Sequence, residues 1–128
     1  MNPNQETMAK ALEKFLNAAE NFEPEAYGDF FSQDAQKIDP NGTEPVRGRE
    51  EIVTRFRTKR IDKIKSWQIH RDNVYFAGEG CALIWRVNLE TKEGEKSQFE
   101  GVDVFDFDHQ GKCIKMTTFP RKTHKSRP

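Results

Sequence analysis

The most constraining feature of the sequence is an alternating stretch, residues 98–108, that predicts a strand with two different faces. Neighbouring residues of a strand point to opposite faces. One face is then aromatic except for a glycine and a carboxylate, and it carries Phe99, Gly101, Asp103, Phe105 and Phe107. If that face is covered, the loss of water raises the pKa of Asp103, and a neutral carboxyl can donate a hydrogen bond. The stretch therefore predicts a sheet that is built around a buried acid.

The rest of the chain predicts three helices followed by a run of strands. An apolar stripe with helical spacing predicts a first helix over residues 3–19, with Asn2 as its cap, Pro3 at its first position and Gln5 as the capping partner. Further helices are predicted over residues 24–32 and 49–59. Strands are predicted over residues 35–39, 67–76, 81–91, 98–108 and 112–119. This order predicts an α+β domain over residues 1–120, in which three N-terminal helices pack on a curved, mainly antiparallel sheet that encloses a pocket.

Composition excludes several classes of function. The chain has 128 residues, enough for one domain, and its 21 basic and 21 acidic residues balance, so no overall charge favours nucleic acid or an acidic membrane. There is no apolar run for a membrane span or a signal peptide, so we expect a cytoplasmic protein. Cys81 and Cys113 lie far apart and are expected to be packed thiols. No metal site and no cofactor are expected, and residues 121–128 are predicted to form a basic, flexible tail.

Two aspartates are candidates for a site, and each also has an ordinary structural explanation. Asp39 lies at a strand end before Pro40 and the Asn41-Gly42 turn, so it is either a turn former or a placed carboxylate. Asp103 is either a buried carboxylate paired with a backbone donor or an arginine, or the polar group of a pocket.

Two motifs resemble those of a known family. Residues 39–48 together with Ile52 are similar to the signature D-P-x-G-x-x-P-x-x-G-x-x-x-I of the ketosteroid isomerases. The run from Val102 to Phe105, followed by Gly111 and Met116, is similar to the isomerase strands that carry a hydrogen-bonding carboxyl. The chain thus resembles the nuclear transport factor 2-like (NTF2-like) superfamily, in its ketosteroid isomerase and SnoaL-like branch, from Met8 to Phe119. The resemblance implies a cone-shaped fold and a homodimer.

The resemblance also implies roles for individual residues. Asp39 matches the general base of the isomerases, and Asp103 matches the protonated aspartic acid that donates to the dienolate oxygen. Phe15 departs from the pattern, because the isomerases carry there a tyrosine that is the second donor, and losing such a donor costs about 100- to 1,000-fold in rate. Tyr27, Tyr75, Trp67 and Trp85 are possible replacements. The residues predicted to contact a ligand are Phe15, Tyr27, Phe56, Trp85, Phe105 and Phe119.

These observations predict a cofactor-independent, ketosteroid isomerase-like or SnoaL-like enzyme, an isomerase or lyase that acts on a small hydrophobic carbonyl compound by proton abstraction. A polyketide cyclase-like reaction is a further option on the same pocket. The alternative is a non-catalytic module that binds a small ligand or dimerises.

Overall fold

The computed structural model describes residues 4–125, and its helices precede a run of long strands. The helices are α1 (Gln5–Glu20), α2 (Pro24–Asp29) and α3 (Arg49–Arg55), and α3 continues as a π-helical segment (Phe56–Ile61). The strands are β1 (Phe31–Ile38), β2 (Val46–Arg47), β3 (Ile64–Ala77), β4 (Gly80–Thr91), β5 (Lys96–Phe107) and β6 (Cys113–Lys125). The predicted α+β class is confirmed, because the helices cover one face of a single curved sheet.

Helix α1 forms because one stripe of its surface is apolar and its first turn is capped. The buried stripe consists of Met8, Leu12, Phe15, Leu16, Ala18 and Ala19. Asn4 is the N-cap, and its side-chain oxygen accepts a hydrogen bond from the backbone N–H of Thr7 at 2.8 Å. This bond satisfies one of the donors that a helix start leaves without a partner. The predicted cap at Asn2 and Pro3 lies outside the described residues.

The second helix is shorter than predicted, and the first strand begins earlier. Helix α2 ends at Asp29 instead of near residue 32, and β1 starts at Phe31 instead of Ala35. The reason is a long-range pairing, because Phe31 lies opposite Cys113 in β6 and is completely buried there. The helical periodicity of residues 27–31 could not reveal that partner.

The third helix also departs from its predicted form. The inward residues Ile52 and Phe56 are buried as expected, but α-helical geometry ends at Arg55 and the chain continues as a wider π-helix to Ile61. The backbone N–H of Asp62 donates to the carbonyl of Arg57 at 2.9 Å, which is the five-residue spacing of a π-helix. Arg60 lies in this π-helical segment and lines the cavity described below.

The six strands form one sheet in the order β2-β1-β6-β5-β4-β3. Every neighbouring pair is antiparallel except β1 and β6, which run parallel, so the sheet is mainly antiparallel as predicted. The parallel pair is decisive for the site, since it places the end of β1 beside the middle of β6.

The last strand extends beyond its predicted end, into the segment that was predicted to form a basic tail. Strand β6 continues to Lys125, where it pairs with β5, with Arg121 opposite Glu100 and Lys122 opposite Phe99. Arg121 also forms an ion pair with the carboxylate of Glu100. The physical reason is that β5 starts at Lys96 and offers backbone partners along its full length, so residues 121–125 satisfy their hydrogen bonds there. Residues 126–128 of the predicted tail lie outside the described residues.

Candidate functional site

The aromatic row of β5 faces the interior, as its alternation predicts. Phe105 and Phe107 are buried in the core, and Asp103 between them and Gly101 is only 8% exposed. The neighbouring Asp106 is exposed on the opposite face. The strand therefore delivers a single carboxyl to an otherwise apolar surface.

Burial changes the acidity of that carboxyl. Removal from water raises the pKa of Asp103 from its ordinary value of 3.8 to about 6. The Thr118 hydroxyl, the positive charge of Lys37 and the Trp85 indole lower this pKa in part, and the negative charge of Asp39 raises it further. Desolvation has the largest effect, so Asp103 holds its proton to a much higher pH than a solvated aspartate does.

The parallel pairing of β1 with β6 brings Asp39 to the same region. Ile38 lies opposite Thr117 in β6, and on the other side of β6 Asp103 lies opposite Thr118. Asp39 and Asp103 thus flank β6 at nearly the same height, with their backbones roughly 10 Å apart, or two strand spacings. The backbone N–H of Asn41 donates to the carbonyl of Thr118 at 2.8 Å, which holds the turn after Asp39 against β6.

Both carboxyls line one cavity of about 300 Å³. Asp103 lies inside it, whereas the side chain of Asp39 is 38% exposed and lies at its rim. The Nζ of Lys37, a side chain that is only 16% exposed, lies 3.5 Å from Oδ2 of Asp39. The rest of the wall is largely apolar and includes Leu16, Ile69, Leu83, Val87, Phe99 and Met116. The cavity is therefore a largely hydrophobic space whose charged lining residues are two acids, Asp39 and Asp103, and two cations, Lys37 and Arg60.

Four buried polar atoms of this cavity make no hydrogen bond of normal geometry within the part of the chain that the structure describes. They are Oδ1 of Asp103, Oγ1 of Thr118, Nε1 of Trp85 and Nε1 of Trp67. Buried polar groups are normally paired, and each of these belongs to a residue that lines the cavity. A ligand with matching polar atoms would satisfy them.

Trp85 has room in the cavity wall because the residue opposite it is glycine. Trp85 lies opposite Gly101 in the sheet, and a Cβ at Gly101 would lie 2.7 Å from Cζ2 of the indole and 2.5 Å from the backbone oxygen of Phe119. Any side chain at this position would displace the indole or the backbone of β6. Gly101 thus shapes the cavity next to Asp103.

The profile of the SnoaL-like domain family matches residues 12–116. The chain belongs to the SnoaL-like domain family. No curated protein matches it with statistical significance.

Solved structures with the same fold include proteins of several kinds. The epoxide hydrolase/cyclase-like enzyme SalBIII, which has a role in pyran ring formation in the polyether salinomycin, superposes with a TM-score of 0.82 at 16% identity, over 92% of this chain and 93% of that one. An LEH-like epoxide hydrolase from Mycobacterium tuberculosis superposes with a TM-score of 0.80 at 18% identity, over 93% of this chain and 86% of that one. A computationally designed 17-OHP binder gives 0.79 at 14% identity, over 88% and 92%. At these identities the likeness establishes the NTF2-like fold alone.

Three of the six predicted ligand contacts of this SnoaL-like domain line the cavity: Phe15, Tyr27 and Trp85. Phe15 has no hydroxyl to offer, and it stacks on Phe30 with ring centroids 4.2 Å apart. Tyr27 stacks on Phe56 at 3.9 Å. Phe15 and Tyr27 therefore belong both to the aromatic core and to the cavity wall.

The other three predicted contacts lie elsewhere. Phe56 is behind Tyr27 and lines a groove that adjoins the cavity. Phe105 is completely buried behind Phe15, with ring centroids 6.1 Å apart, and does not line the cavity. Phe119 is 45% exposed, because it is next to Thr118 in β6 and alternation turns it to the outer face of the sheet.

The structure also sorts the possible replacements for the missing tyrosine. Tyr75 is exposed, and its hydroxyl accepts a hydrogen bond from the Asn73 side chain at 3.0 Å, away from the cavity. Tyr27, Trp67 and Trp85 line the cavity. Trp85 is the one whose indole lies close enough to Asp103 to affect its pKa.

Sequence reasoning missed three polar residues of the cavity: Lys37, Arg60 and Thr118. Lys37 precedes Asp39 by two residues, so strand alternation could have placed both on one face. Thr118 required the β5–β6 register, and Arg60 required the π-helical segment, neither of which has a local signature in this sequence.

In residues 4–125, no group of three or more His, Cys, Asp or Glu side chains is arranged to hold a metal ion. No helix in that range is long and apolar enough to cross a membrane.

Proposed function

We propose that this SnoaL-like domain is a cofactor-independent enzyme that moves a proton at the carbon next to a carbonyl group of a small hydrophobic compound. The observation that carries the proposal is the single cavity lined by Asp39 and Asp103 in different settings. Asp39 is partly solvated and lies beside Lys37, whereas Asp103 is buried, which favours its neutral form as a donor.

The proposed reaction begins when the substrate fills the cavity with its carbonyl oxygen near Asp103. The carboxylate of Asp39 then removes a proton from the neighbouring carbon, and negative charge develops on the carbonyl oxygen. Protonated Asp103 donates a hydrogen bond to this oxygen, and the Trp85 indole N–H supplies a second donor in place of the tyrosine that Phe15 replaces. Return of the proton from Asp39 to another carbon would complete an isomerisation.

The cavity volume restricts the substrate. At about 300 Å³ it is at the small end of the range of ligand pockets. We therefore expect a ketone or enone whose part inside the cavity is small and largely apolar.

The test is exchange of the α-hydrogen for deuterium, because it reports proton abstraction before the physiological substrate is known. A panel of cyclic ketones and enones is incubated in D₂O with the wild type, and deuterium at the α-carbon is followed by NMR. We expect Asp39→Asn to lose at least about 100-fold in exchange rate. Asp34→Asn is the matched control, since Asp34 is an exposed carboxylate of the same strand that does not line the cavity.

The pH dependence tests the second acid. If Asp103 acts as a proton-bearing donor, exchange slows as the pH rises through about 6, where Asp103 ionises.

An exchange rate unchanged in Asp39→Asn would exclude Asp39 as the base.

A polyketide cyclase-like ring closure would use the same pair of acids, with Asp39 generating the carbon nucleophile and Asp103 assisting the carbonyl that it attacks. SalBIII, which shares the fold, is described as cyclase-like. Substrates in which a second carbonyl can be attacked within the molecule therefore belong in the panel, and formation of a ring would favour this reaction over isomerisation.

The second candidate function is a non-catalytic ligand-binding module. The observation that favours it is Phe15, whose ring packs into the aromatic core where the isomerase-like arrangement needs a donor. Thermal stabilisation by the same ketones without any exchange or product would support binding alone. A homodimer and a cytoplasmic location are part of the proposal in either case.

A further inference from the structure

The cavity has polar groups at two ends, and the proposed reaction uses those at one end. Asp103 lies opposite Leu83 in β4, whereas Trp67 lies opposite Leu89, six residues further along the same strand. Six residues correspond to roughly 20 Å of strand. Val87, which lies between them on β4, also lines the cavity. Along the sheet, Trp67 is therefore separated from Asp103 by an apolar stretch, while Asp39 and Lys37 line the adjoining groove together with Arg60 and Trp67.

The second end carries an arginine without an acidic partner. The side chain of Arg60 is half-buried, and its guanidinium lies 3.9 Å from the centroid of the Trp67 ring and 5.5 Å from that of Phe56. In the described part of the chain, no carboxylate lies within ion-pairing distance of it. A guanidinium that stacks with its face on an aromatic ring keeps its N–H groups free to donate hydrogen bonds in the plane of the guanidinium.

The other partly buried arginines are occupied, which makes Arg60 distinctive. Arg71 pairs with Glu13 at 3.1 Å and with Glu20 at 3.0 Å. Arg49 donates to the backbone carbonyl of Phe31 at 2.9 Å. Desolvated cations normally find such partners. The partner of Arg60 is therefore expected to come from outside the chain.

Trp67 provides a second and independent indication. Its indole Nε1 is buried and has no hydrogen-bond partner within residues 4–125, and the residue lines both the cavity and the adjoining groove. An acceptor placed beside the indole edge would satisfy this donor and lie near the guanidinium of Arg60.

The charge of the adjoining groove fits an anion. Its lining carries four cations, which are Lys37, Arg55, Lys59 and Arg60, and two acids, which are Asp39 and Glu44. Lys37 pairs with Asp39, and Arg55 pairs with Glu51 at 3.1 Å. The groove is thus locally positive in a chain whose formal net charge is zero, and such a concave surface concentrates anions.

We propose that the ligand of this cavity is a keto acid, a hydrophobic carbonyl compound whose far end carries a carboxylate bound by Arg60 and the Trp67 indole N–H. A carboxylate fits because its two oxygens can accept from an arginine and still reach a neighbouring donor. The assignment of the carbonyl to the Asp103 end rests on the proposed function. The assignment of the carboxylate to the Arg60 end rests on the contacts above.

The experiment compares matched ligands that differ only in the far group. The probes are ω-(oxocyclohexyl)alkanoates with chains of three to eight methylenes and their methyl esters. Binding is measured by calorimetry in the wild type, where Lys37 keeps its partner Asp39, because exchange of an α-hydrogen of a saturated ketone in H₂O leaves the ligand unchanged. We expect one chain length at which the acid binds about tenfold or more tightly than its ester, with a preference that shrinks as salt is added.

Variants assign the preference to the proposed residues. Arg60→Gln should remove it, Arg60→Lys should retain part of it, and Trp67→Phe should weaken it. Arg57→Gln is the control, because Arg57 is an exposed cation of the same π-helical segment that does not line the cavity. Circular dichroism confirms that each variant is folded, and Arg60→Lys keeps the stacked cation if Arg60→Gln does not fold.

Equal affinity for acid and ester at every chain length would overturn the inference, as would a preference that is undiminished in Arg60→Gln or, if that variant does not fold, in Arg60→Lys. These outcomes are separate from those of the exchange experiment. A clear preference for the acid in a protein that exchanges no α-hydrogen would uphold the carboxylate site and reject the enzyme. Exchange of neutral ketones without any preference for acids would uphold the enzyme and reject the carboxylate site.

Discussion

Replacing Asp103 by asparagine should stabilise the protein at neutral pH while removing its proposed donor. The pKa of Asp103 is raised from 3.8 to about 6 by burial. A shift of about two units corresponds to roughly 3 kcal/mol, at about 1.4 kcal/mol per unit. This is the free energy that the folded protein loses when it must hold the buried carboxyl in its charged form.

The sign follows from the direction of the shift. Because the pKa in the folded state is above that in the unfolded state, the folded state binds the proton more tightly. The contribution of Asp103 to stability is therefore fully present below a pH of about 4 and is lost as the pH rises through about 6. Asparagine has nearly the same shape and no charge, so it lacks this dependence.

The assay is urea unfolding of the wild type and Asp103→Asn from about pH 4 to about pH 8, with the difference between the two free energies plotted against pH. We expect the difference to be small at the acidic end, and the variant to be more stable by up to about 3 kcal/mol at the alkaline end. Other groups that titrate in both proteins cancel in the difference.

The control is Asp106→Asn, which removes a carboxylate from the same strand at an exposed position. Comparing the two variants isolates the effect of burial, because the two positions share a strand and differ in exposure. A difference for Asp103→Asn that is flat across the whole range would refute the reasoning, because it would mean that folding does not raise the pKa of this group.

Three further predictions concern the scaffold. Gly101→Ala should lower the free energy of unfolding by about 1 to 3 kcal/mol and shift Trp85 fluorescence, because the added Cβ would lie 2.7 Å from the indole; unchanged stability and emission would contradict this packing. Asn4→Ala should cost about 1 kcal/mol in urea unfolding through loss of the bond to Thr7, with Asn4→Asp as the control that keeps a cap. Phe119→Glu should shift a dimer to monomer in sedimentation, since Phe119 is exposed on the outer face of the sheet; a wild type that sediments only as monomer would contradict the dimer.

Local sequence pattern predicted the elements that have one buried face. The apolar stripe of α1 and the alternation of β4 and β5 match the observed burial. The reason is that side chains repeat at different periods in helices and strands, and only one side of each element faces the core. The boundaries that failed are those decided by a distant partner. Phe31 was predicted to be helical but pairs with β6, and residues 121–125 were predicted to form a tail but pair with β5.

The sequence likewise predicted some residues of the candidate site and missed others. Asp103 was found because its own strand surrounds it with phenylalanines, and Asp39 was found because its motif resembles that of a family with the same fold. Phe119 was predicted to contact the ligand but does not line the cavity, because its inward or outward direction depends on the register of β6. Arg60 was missed, because a change from α- to π-helical geometry decides what it contacts.

The sequence by itself determined the class of the fold, the burial of Asp103 and the turn that follows Asp39, since each depends on residues close together in the chain. Only the tertiary structure decided that the two acids share one cavity and that Arg60 and Trp67 lie at its other end. The physical reason is that a residue pattern encodes which face of an element avoids water, whereas the neighbour that covers that face is selected by the pairing and packing of the whole chain.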